Sequence, residues 1–378
     1  MYCRMHLVIA PLVLLIITGH ITNAGGADAP AKTSVDAKLY AETVNKAIEF
    51  LRTSQAADGS FSAEAGPAVT ALVATAVLKN GRTADDPLVA KSLKYLSGFV
   101  HPDGGIYADK STHQNYETCV AIQCFTAANA DKRYDQLLSA AEKFVRGLQW
   151  DDSEGHDKAS VNFGGAGYGN SKRPDLSNTS FLLDALKASG AGPDDEAVKK
   201  ALVFVSRCQN LETEFNTTEF AAKDPDGGFY YTPAAGGASM AGKLDNGGLR
   251  SYGSMSYAGL KSMIYAGLKA DDPRVNAAVE WARQNYSLTE NPGLGDAGLY
   301  YYYQLFSKAL AATKMPELTD SKGKAHDWRR ELAAELIRRQ QPNGSWINSN
   351  RQWLEADPNL VTAYALLALA DCRPGIQP

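Results

Sequence analysis

The stretch that decides the fold spans residues 46–61 and reads KAIEFLRTSQAADGSF. With the residues just before it, it shows the i, i+3, i+4, i+7 spacing of an amphipathic helix, at Val44, Ala47, Ile48 and Leu51. The Asp58–Gly59 pair that follows is typical of a turn. The stretch therefore predicts an amphipathic helix that leads directly into a tight turn.

The same arrangement recurs along the chain. An aromatic residue followed by an aliphatic or small one lies near the end of each helical segment, and these pairs are Phe50–Leu51, Tyr95–Leu96, Phe144–Val145, Phe204–Val205 and Trp281–Ala282. A sixth, weaker unit lacks the aromatic but keeps Leu336, Gln340, Gly344 and Trp346. Long self-similar units of helical character indicate a repeat architecture, so we expect six units.

Each unit continues with a second helical segment that is apolar on nearly every side, and these segments are 68–78, 118–128, 179–188, 256–266, 299–312 and 362–370. A helix without a polar face must be buried, whereas the first helices carry charged residues on one side. We therefore predict an all-α fold, an α/α toroid of about six helix pairs with apolar inner and amphipathic outer helices. An open solenoid is the alternative, but it would need polar caps, and the sequence shows none.

The chain begins with the features of an export signal. Arg4 precedes an apolar run at 7–17, and residues 22–24 are suited to cleavage. The run is shorter than the ~20 apolar residues that cross a bilayer, so no stable membrane span is expected after cleavage. We expect residues 1–24 to be removed, residues 36–373 to form a single toroid domain, and the protein to be periplasmic or extracellular.

Charge and cysteine content narrow the partners. The formal net charge is −4 and no basic run is present, so nucleic acid is not an expected partner. No motif for a cofactor is found, since the glycines at 164–167 lack the preceding strand and the following Lys-Ser/Thr of a phosphate loop. An even number of cysteines in an exported protein permits disulfides, but buried thiols are favoured by the apolar helical surroundings of Cys119, Cys124, Cys208 and Cys372.

The pattern in residues 46–61 resembles the QW repeat of the squalene and oxidosqualene cyclases. Over nearly its whole mature length, the chain resembles the prenyltransferase and squalene-cyclase repeat superfamily. The resemblance implies an α/α toroid in which the N-terminal ends of the inner helices surround a central apolar cavity. It also implies that this cavity holds an isoprenoid.

Class II cyclases of this superfamily protonate an alkene with an Asp of a D-x-D-D motif at the start of an inner helix, which requires a protonated acid. The matching segment keeps Asp175 but has Ser177 in the place of the acid and Asn178 in the place of the last Asp. A hydroxyl and an amide cannot supply that proton. These three residues are the candidate catalytic residues if the protein is an enzyme, and the alternative is that Ser177 or Asn178 caps the helix.

Protein prenyltransferases of the same superfamily instead bind Zn²⁺ through an Asp, a Cys and a His. The corresponding segments 254–256 and 296–298 contain no cysteine, and the sixth inner helix has no histidine, so no metal site is predicted. His113 and Glu117 lie four residues apart and would share a helix face. Because no third ligand is specified, a capping role is preferred to a metal pair.

Polar residues occur at one level of the apolar helices. Five residues on from the Ser or Thr that marks the start of an inner helix are Thr75, Gln123, Asp184, Lys261 and Leu367. Because an unpaired buried charge is costly, we expect Asp184 and Lys261 to pair across adjacent helices and to be candidate substrate-binding residues. The alternative is that this level is wet and lies near one rim of the ring.

Further candidates for substrate binding at the cavity and its mouth are Asp226, Tyr252, Tyr257 and Tyr300. Tyr300 begins a run of four aromatic residues, of which at most two can face the cavity, because successive helix residues point in different directions. The glycine-rich stretch 227–248 is too long for a simple turn. We expect it to cover the cavity mouth, and a surface insertion is the alternative.

The leading functional hypothesis is a terpenoid-cyclase-like or prenyltransferase-like protein whose cavity accommodates an isoprenoid or another lipid, with catalysis open. A second hypothesis is a non-catalytic module that binds a partner protein through its rim loops, and a centre filled by side chains would favour it. A third is a carbohydrate-active toroid. It requires two carboxylates that face each other across an open cleft, beside exposed Trp346 and Trp353.

Overall fold

Twelve α-helices make up most of the protein in the computed structural model, which describes residues 35–169 and 172–376. The first six are α1 Ala37–Ser54, α2 Pro67–Lys79, α3 Pro87–Ser97, α4 Gln114–Ala127, α5 Asp135–Arg146 and α6 Leu176–Ala188. The other six are α7 Glu196–Arg207, α8 Gly253–Tyr265, α9 Pro273–Gln284, α10 Leu299–Thr313, α11 Trp328–Arg339 and α12 Pro358–Cys372. The predicted export signal, residues 1–24, lies outside the described residues.

The even-numbered helices form a closed ring. Each of α2, α4, α6, α8 and α10 packs against the next even-numbered helix, and α12 packs against α2. The odd-numbered helices lie outside this ring, with α3 on α2, α5 on α4, α9 on α8 and α11 on α12. The predicted toroid of six helix pairs is therefore confirmed, and the open solenoid is excluded.

Burial follows the two predicted helix types. In α2 every residue from Pro67 to Val77 is buried, because this helix packs against α12, α4 and α3. In α7 the buried residues follow the helical spacing of one face, while Lys199 on the other face is exposed. The absence of a polar face thus correctly marks an inner helix, and a single apolar stripe marks an outer one.

A glutamine at the end of several outer helices ties its own turn to the next outer helix. The Gln209 side-chain amide donates to the carbonyl oxygens of Gly227 and Arg274, both at 2.9 Å. The equivalent pair of bonds is made by Gln55, Gln149 and Gln340. Because Gln340 donates to the carbonyl of Thr43 on α1, the same device joins the last outer helix to the first.

The remaining regular structure is small. The described residues contain one two-stranded antiparallel sheet, β1 Leu318–Thr319 and β2 Ala325–His326. None of the helices in this part of the chain combines the length and apolar character that a membrane span needs. The four cysteines of the described residues are buried and free, as the sequence predicts.

Candidate functional site

A cavity of about 280 Å³ opens at the end of the ring where the inner helices begin. Every inner helix contributes to its wall from its first turn, through Val69, Tyr116, Ser177, Met255, Tyr301 and Leu360. Among the described residues, none that lines this upper cavity is Asp, Glu, Lys or Arg. The geometry agrees with the expectation that inner-helix N-termini surround a mainly apolar space.

Six tyrosines give the wall of the upper cavity its character, and they are Tyr116, Tyr168, Tyr231, Tyr252, Tyr301 and Tyr364. Their rings pack closely, with ring centroids 5.8 Å apart for Tyr301 and Tyr364. The rings of Phe181 and Tyr116, both on the cavity wall, pack in a T-shaped arrangement with centroids 4.9 Å apart. Burial raises the pKa of Tyr116 to about 12, so its hydroxyl stays protonated at physiological pH. The wall thus presents aromatic faces and neutral hydroxyl groups.

The segment that resembles the D-x-D-D motif lies at the start of α6. One of its residues caps the helix, and two others line the cavity. Asp175 is the N-cap, because its carboxylate accepts from the backbone N–H of Asn178 at 2.9 Å and from the Asn178 side-chain amide at 2.9 Å. Ser177 and Asn178 line the cavity, whereas Asp175 does not. A capping role is therefore present, but Asp175 holds it rather than Ser177 or Asn178.

This arrangement determines what the segment can do chemically. Burial raises the pKa of Asp175 to about 6. Its oxygens bond to Asn178 at the start of α6 and to the hydroxyl of the wall residue Tyr231, so the carboxyl lies behind the wall and does not line the cavity. Ser177 occupies the place of the acid, and its hydroxyl lies 3.0 Å from that of Tyr301. The upper cavity, as far as the structure describes it, holds no carboxyl group that could protonate an alkene.

Tyr252 lies on the cavity wall, as predicted, whereas Tyr257 and Tyr300 do not. Tyr257 points from α8 toward α10, where its ring lies 4.9 Å from Phe306. Tyr300 packs edge-on against Tyr303 at 5.6 Å. Of the four successive tyrosines, only Tyr301 lines the cavity. This agrees with the helix-geometry limit of two, but the residue named from the sequence was Tyr300.

Asp226 is the other candidate that the structure places away from the cavity. Its carboxylate accepts hydrogen bonds from the Ser251 hydroxyl at 2.7 Å, from the Gly228 N–H at 2.9 Å and from the Trp281 indole N–H at 3.1 Å. These contacts fasten the glycine-rich turn to outer helix α9. Asp226 is not among the described residues that line the upper cavity, and its role in substrate binding stays a prediction.

The glycine-rich stretch does cover the cavity mouth. Tyr231 and Met240 both lie on the wall, and the stretch is held by antiparallel bridges between Thr232 and Ala238 and between Lys243 and Leu249. The stretch therefore lies at the cavity mouth, and much of it is also exposed at the surface. Two further rim residues, Trp353 and Leu354, are about half exposed and both have a left-handed backbone conformation, with φ of 52° and 64°.

The predicted pair of Asp184 and Lys261 forms across adjacent inner helices, with Nζ and the carboxylate 2.8 Å apart. Lys308 on α10 binds the same carboxylate oxygen at 2.8 Å. The wet-rim alternative is wrong for the pair, since the side chains of Asp184 and Lys261 are 2% and 1% exposed. Neither residue lines the upper cavity, and their role in substrate binding stays a prediction.

Sequence reasoning missed Lys308 and several wall residues, for different reasons. The level was counted from a Ser or Thr at the start of each inner helix, and α10 starts with Leu299 and has no such marker. A count from Tyr301 would place Lys308 two turns further along the same helix face. Among the wall residues missed, Tyr116 and Tyr364 lie on inner helices, whose burial on all sides gives no sequence signal of which face meets the cavity, and Tyr168 lies in the loop before α6.

His113 and Glu117 lie at the start of α4 and contact different partners. Glu117 accepts from the Ala108 N–H and from the Ser111 hydroxyl, both at 2.8 Å, and so fastens the loop that precedes α4. His113 is the N-cap residue of α4 but makes no side-chain capping bond, so the preferred capping role is not observed. The His113 ring lies on the cavity wall against Tyr168. In the described part of the chain, no group of three His, Cys, Asp or Glu side chains could hold a metal ion.

Comparison with known proteins supports the fold. Residues 64–233 match the family model described as the squalene-hopene cyclase C-terminal domain. The type II terpene cyclase MstE from Scytonema aligns with 89% of this chain and 98% of its own, at 14% identity and a TM-score of 0.53. No curated protein sequence matches. The chain therefore shares the α/α toroid fold of these terpene cyclase structures, as its repeats predict.

Two glycoside hydrolase structures share the same ring. A glycosyl hydrolase family 88 protein from Bacteroides vulgatus aligns with 90% of this chain and 99% of its own, at 10% identity and a TM-score of 0.54. A possible member of the GH105 family from Salmonella enterica aligns with 89% of this chain and 94% of its own, at 10% identity and a TM-score of 0.53. At such identities the likeness shows the fold alone.

Proposed function

We propose that this protein binds an isoprenoid, or a lipid of similar shape, in the upper cavity. The observation that carries the proposal is the wall itself, because, apart from the His113 imidazole, the described residues around it are apolar, aromatic or uncharged polar. Its volume of about 280 Å³ is close to the lower end of the ~300–1,000 Å³ of small-molecule sites. Burial of apolar ligand surface would drive binding, at roughly 25 cal/mol per Å².

The polar groups on the wall favour a ligand that carries a few oxygen atoms. Ser177 and Tyr301 pair with each other, and Asn178 and Ser254 also face the space. Buried hydroxyl and amide groups discriminate well, since a ligand that leaves them unpaired loses affinity. A solved complex of an MstE variant from Scytonema holds geranylgeranyl dihydroxybenzoate, a molecule of this kind, at 15% identity and a TM-score of 0.50.

The proposal is binding, without alkene protonation by the segment at the start of α6. Ser177 stands where the superfamily's acid would be, and the Asp175 carboxylate is committed to the helix N-terminus. A reaction of the class II type would therefore need an acid from outside the described wall.

Export is part of the same proposal. The mature chain would start after Ala24, and N-terminal sequencing of the secreted protein tests this cleavage site.

The two rival hypotheses have less support. A ring centre filled by side chains would favour a non-catalytic interaction module. The upper end of the ring instead contains an open cavity, so this hypothesis has less support. The carbohydrate hypothesis requires facing carboxylates with Trp346 and Trp353 exposed beside them. Trp346 is fully buried, and the described wall provides no carboxylate, although Trp353 is exposed at the rim.

The test compares ligand uptake by the protein and two variants with an added indole ring. Met255→Trp fills the upper cavity from α8, whereas Ala90→Trp adds the same ring to an exposed position on α3. We expect the protein and Ala90→Trp to bind farnesol in a titration calorimeter, and Met255→Trp to lose at least ten-fold in affinity. Farnesol binding that Met255→Trp retains, or no binding and no lipid in extracts of natively purified protein, would refute the proposal.

A further inference from the structure

The upper cavity has two sides of different chemistry. In the closed ring of inner helices, α6 and α8 are neighbours, and the neighbouring pair on the opposite side is α12 and α2. The first turns of α12 and α2 line the cavity only with aliphatic side chains, which are Leu360, Ala68 and Val69. The first turns of α6 and α8 and the N-cap of α8 line it mainly with polar ones, which are Ser177, Asn178, Tyr252 and Ser254, beside the apolar Met255. The described wall is therefore amphipathic across the ring.

On the polar side, Tyr252 differs from the other five tyrosines of the wall. Its hydroxyl makes no hydrogen bond to a described residue, although Tyr252 is only 2% exposed. It is not among the sealed polar atoms of the core, so it opens onto the cavity. The hydroxyls of the other five each have a polar partner, in the pairs Tyr301 with Ser177, Tyr231 with Asp175, Tyr168 with Tyr231 and Tyr116 with Tyr364.

An open but buried hydroxyl favours a ligand that carries an oxygen atom. A buried donor without a partner costs free energy, which a bond to a ligand acceptor recovers. Burial raises the pKa of Tyr252 well above its ordinary value, so the hydroxyl keeps its proton at physiological pH and can donate. The Ser254 hydroxyl, on the same side, accepts from the Asn291 amide at 3.4 Å, and its own proton has no acceptor among the described residues. Two hydroxyl donors thus face the cavity from the start of α8.

The charges around the cavity favour an uncharged oxygen. The described wall contains no Lys or Arg that could pair with a phosphate or a carboxylate, and His113 is exposed. Asp175 and Arg173 do not line the cavity and carry opposite charges, with Arg173 over the Tyr231 ring at 5.2 Å. Burial of an anion without an adjacent cation is costly, so a hydroxyl, carbonyl or ether oxygen fits this side better.

We propose that the upper cavity holds its ligand in one orientation, with an uncharged, oxygen-bearing end against Tyr252 and a hydrocarbon tail against α12 and α2. The inference rests on the proposed function and names the ligand class more closely. That class is an isoprenoid alcohol, carbonyl compound or ether, in preference to a hydrocarbon or a diphosphate. The Tyr252 hydroxyl donates to the ligand oxygen, and the aliphatic side buries the tail.

The test compares Tyr252→Phe with Tyr257→Phe. The second variant is the matched control, because it removes a hydroxyl of the same helix that is sealed in the core and does not line the cavity. In a titration calorimeter, the affinity of Tyr252→Phe for farnesol and for farnesyl methyl ether should fall about five- to ten-fold, as for the loss of one hydrogen bond. Its affinity for farnesene should not change, and Tyr257→Phe should bind all three probes as the parent protein does.

The three probes separate this inference from the proposed function. Binding of farnesene as tightly as farnesol, with neither affected by Tyr252→Phe, would refute the contact with the ligand oxygen and leave the lipid site intact. Equal losses for farnesol in Tyr252→Phe and Tyr257→Phe would refute it as well. Absence of binding of all three probes would refute the proposed function, and this inference with it.

The orientation of the ligand has its own measurement. A farnesol analogue with a diazirine at the end of its tail is bound, irradiated and located by peptide mass spectrometry. Cross-links to residues 65–69 or 353–364 would support the orientation, since these segments line the aliphatic side. Cross-links confined to residues 177–181 or 252–255 would overturn it.

Discussion

The two ends of the ring interior are lined by the same six helices and have opposite chemistry. Near the helix starts the wall is tyrosine-rich and, among the described residues, carries no acidic or basic chain except the imidazole of His113. Two turns further along, Asp184, Lys261 and Lys308 form a buried charged cluster. An inner helix that is apolar on average thus still presents a different group to the ring axis at every turn.

This difference has an energetic consequence. The upper wall is held by neutral contacts such as the one between Ser177 and Tyr301, and one such hydrogen bond contributes about 1 kcal/mol. The lower layer is held by the almost fully buried Asp184–Lys261 ion pair, and breaking a buried pair costs about 3–5 kcal/mol. Single substitutions should therefore affect folding most at the lower end and ligand binding most at the upper end.

The largest effect is expected for Asp184→Ala. The substitution removes the one carboxylate that binds both Lys261 and Lys308, whose side chains are 1% and 12% exposed. We expect the free energy of unfolding to fall by about 3–5 kcal/mol, because an uncompensated ammonium group stays buried. Urea unfolding followed by circular dichroism at pH 7 measures the loss.

Lys261→Met is the matched comparison for that prediction. It leaves Asp184 paired with Lys308 and replaces the ammonium with an apolar chain of similar length. The loss should be clearly smaller than for Asp184→Ala, since no charge is left alone. Equal losses in the two variants would show that packing, and not charge compensation, stabilises this layer.

The fold and the lower pair could be predicted because both depend on residue type along a helix. The repeat of aromatic, glutamine and turn residues marks the outer helices, and polar residues in an otherwise apolar helix stand out at Asp184 and Lys261. Charged groups in such places must find partners, so their pairing followed without coordinates. Lys308 was missed because its helix has no marker from which to count.

The upper wall was harder to predict for a physical reason. Ser177, Asn178 and Tyr252 do face the cavity, but Tyr257 and Tyr300 face neighbouring helices. An amphipathic helix shows its orientation in its apolar stripe, whereas a helix buried on all sides has no stripe to read. Which tyrosine faces the axis is then decided by packing between helices, which one sequence does not specify.

An intermediate effect is expected from Asp175→Asn at the upper end. Burial raises the pKa of Asp175 from 3.8 to about 6, so between these values the folded state keeps a proton that the unfolded chain has released. This group therefore makes stability fall as pH rises, by about 2–3 kcal/mol in total. Asn caps a helix as well as Asp, so the variant should lose this pH dependence and be more stable at pH 7.

Unfolding in urea between pH 4 and pH 7 checks this prediction. The difference between the two stability profiles isolates Asp175 from other acidic groups that titrate in the same range. The profiles should meet near pH 4 and diverge toward pH 7. Parallel profiles would mean that the Asp175 carboxyl keeps an ordinary pKa and that its burial has been overestimated.

The smallest effect on stability, and the most selective effect on binding, is expected for Tyr301→Phe. It removes the hydroxyl that lies 3.0 Å from that of Ser177, at a cost of about 1 kcal/mol. Tyr303→Phe on the same helix removes a hydroxyl that donates to the Leu288 carbonyl at 2.6 Å, away from the cavity. Both variants should lose similar stability in urea, but only Tyr301→Phe should bind farnesol more weakly. If both variants bind it equally well, the wall hydroxyls do not contact the ligand, and apolar burial alone determines affinity at this end of the ring.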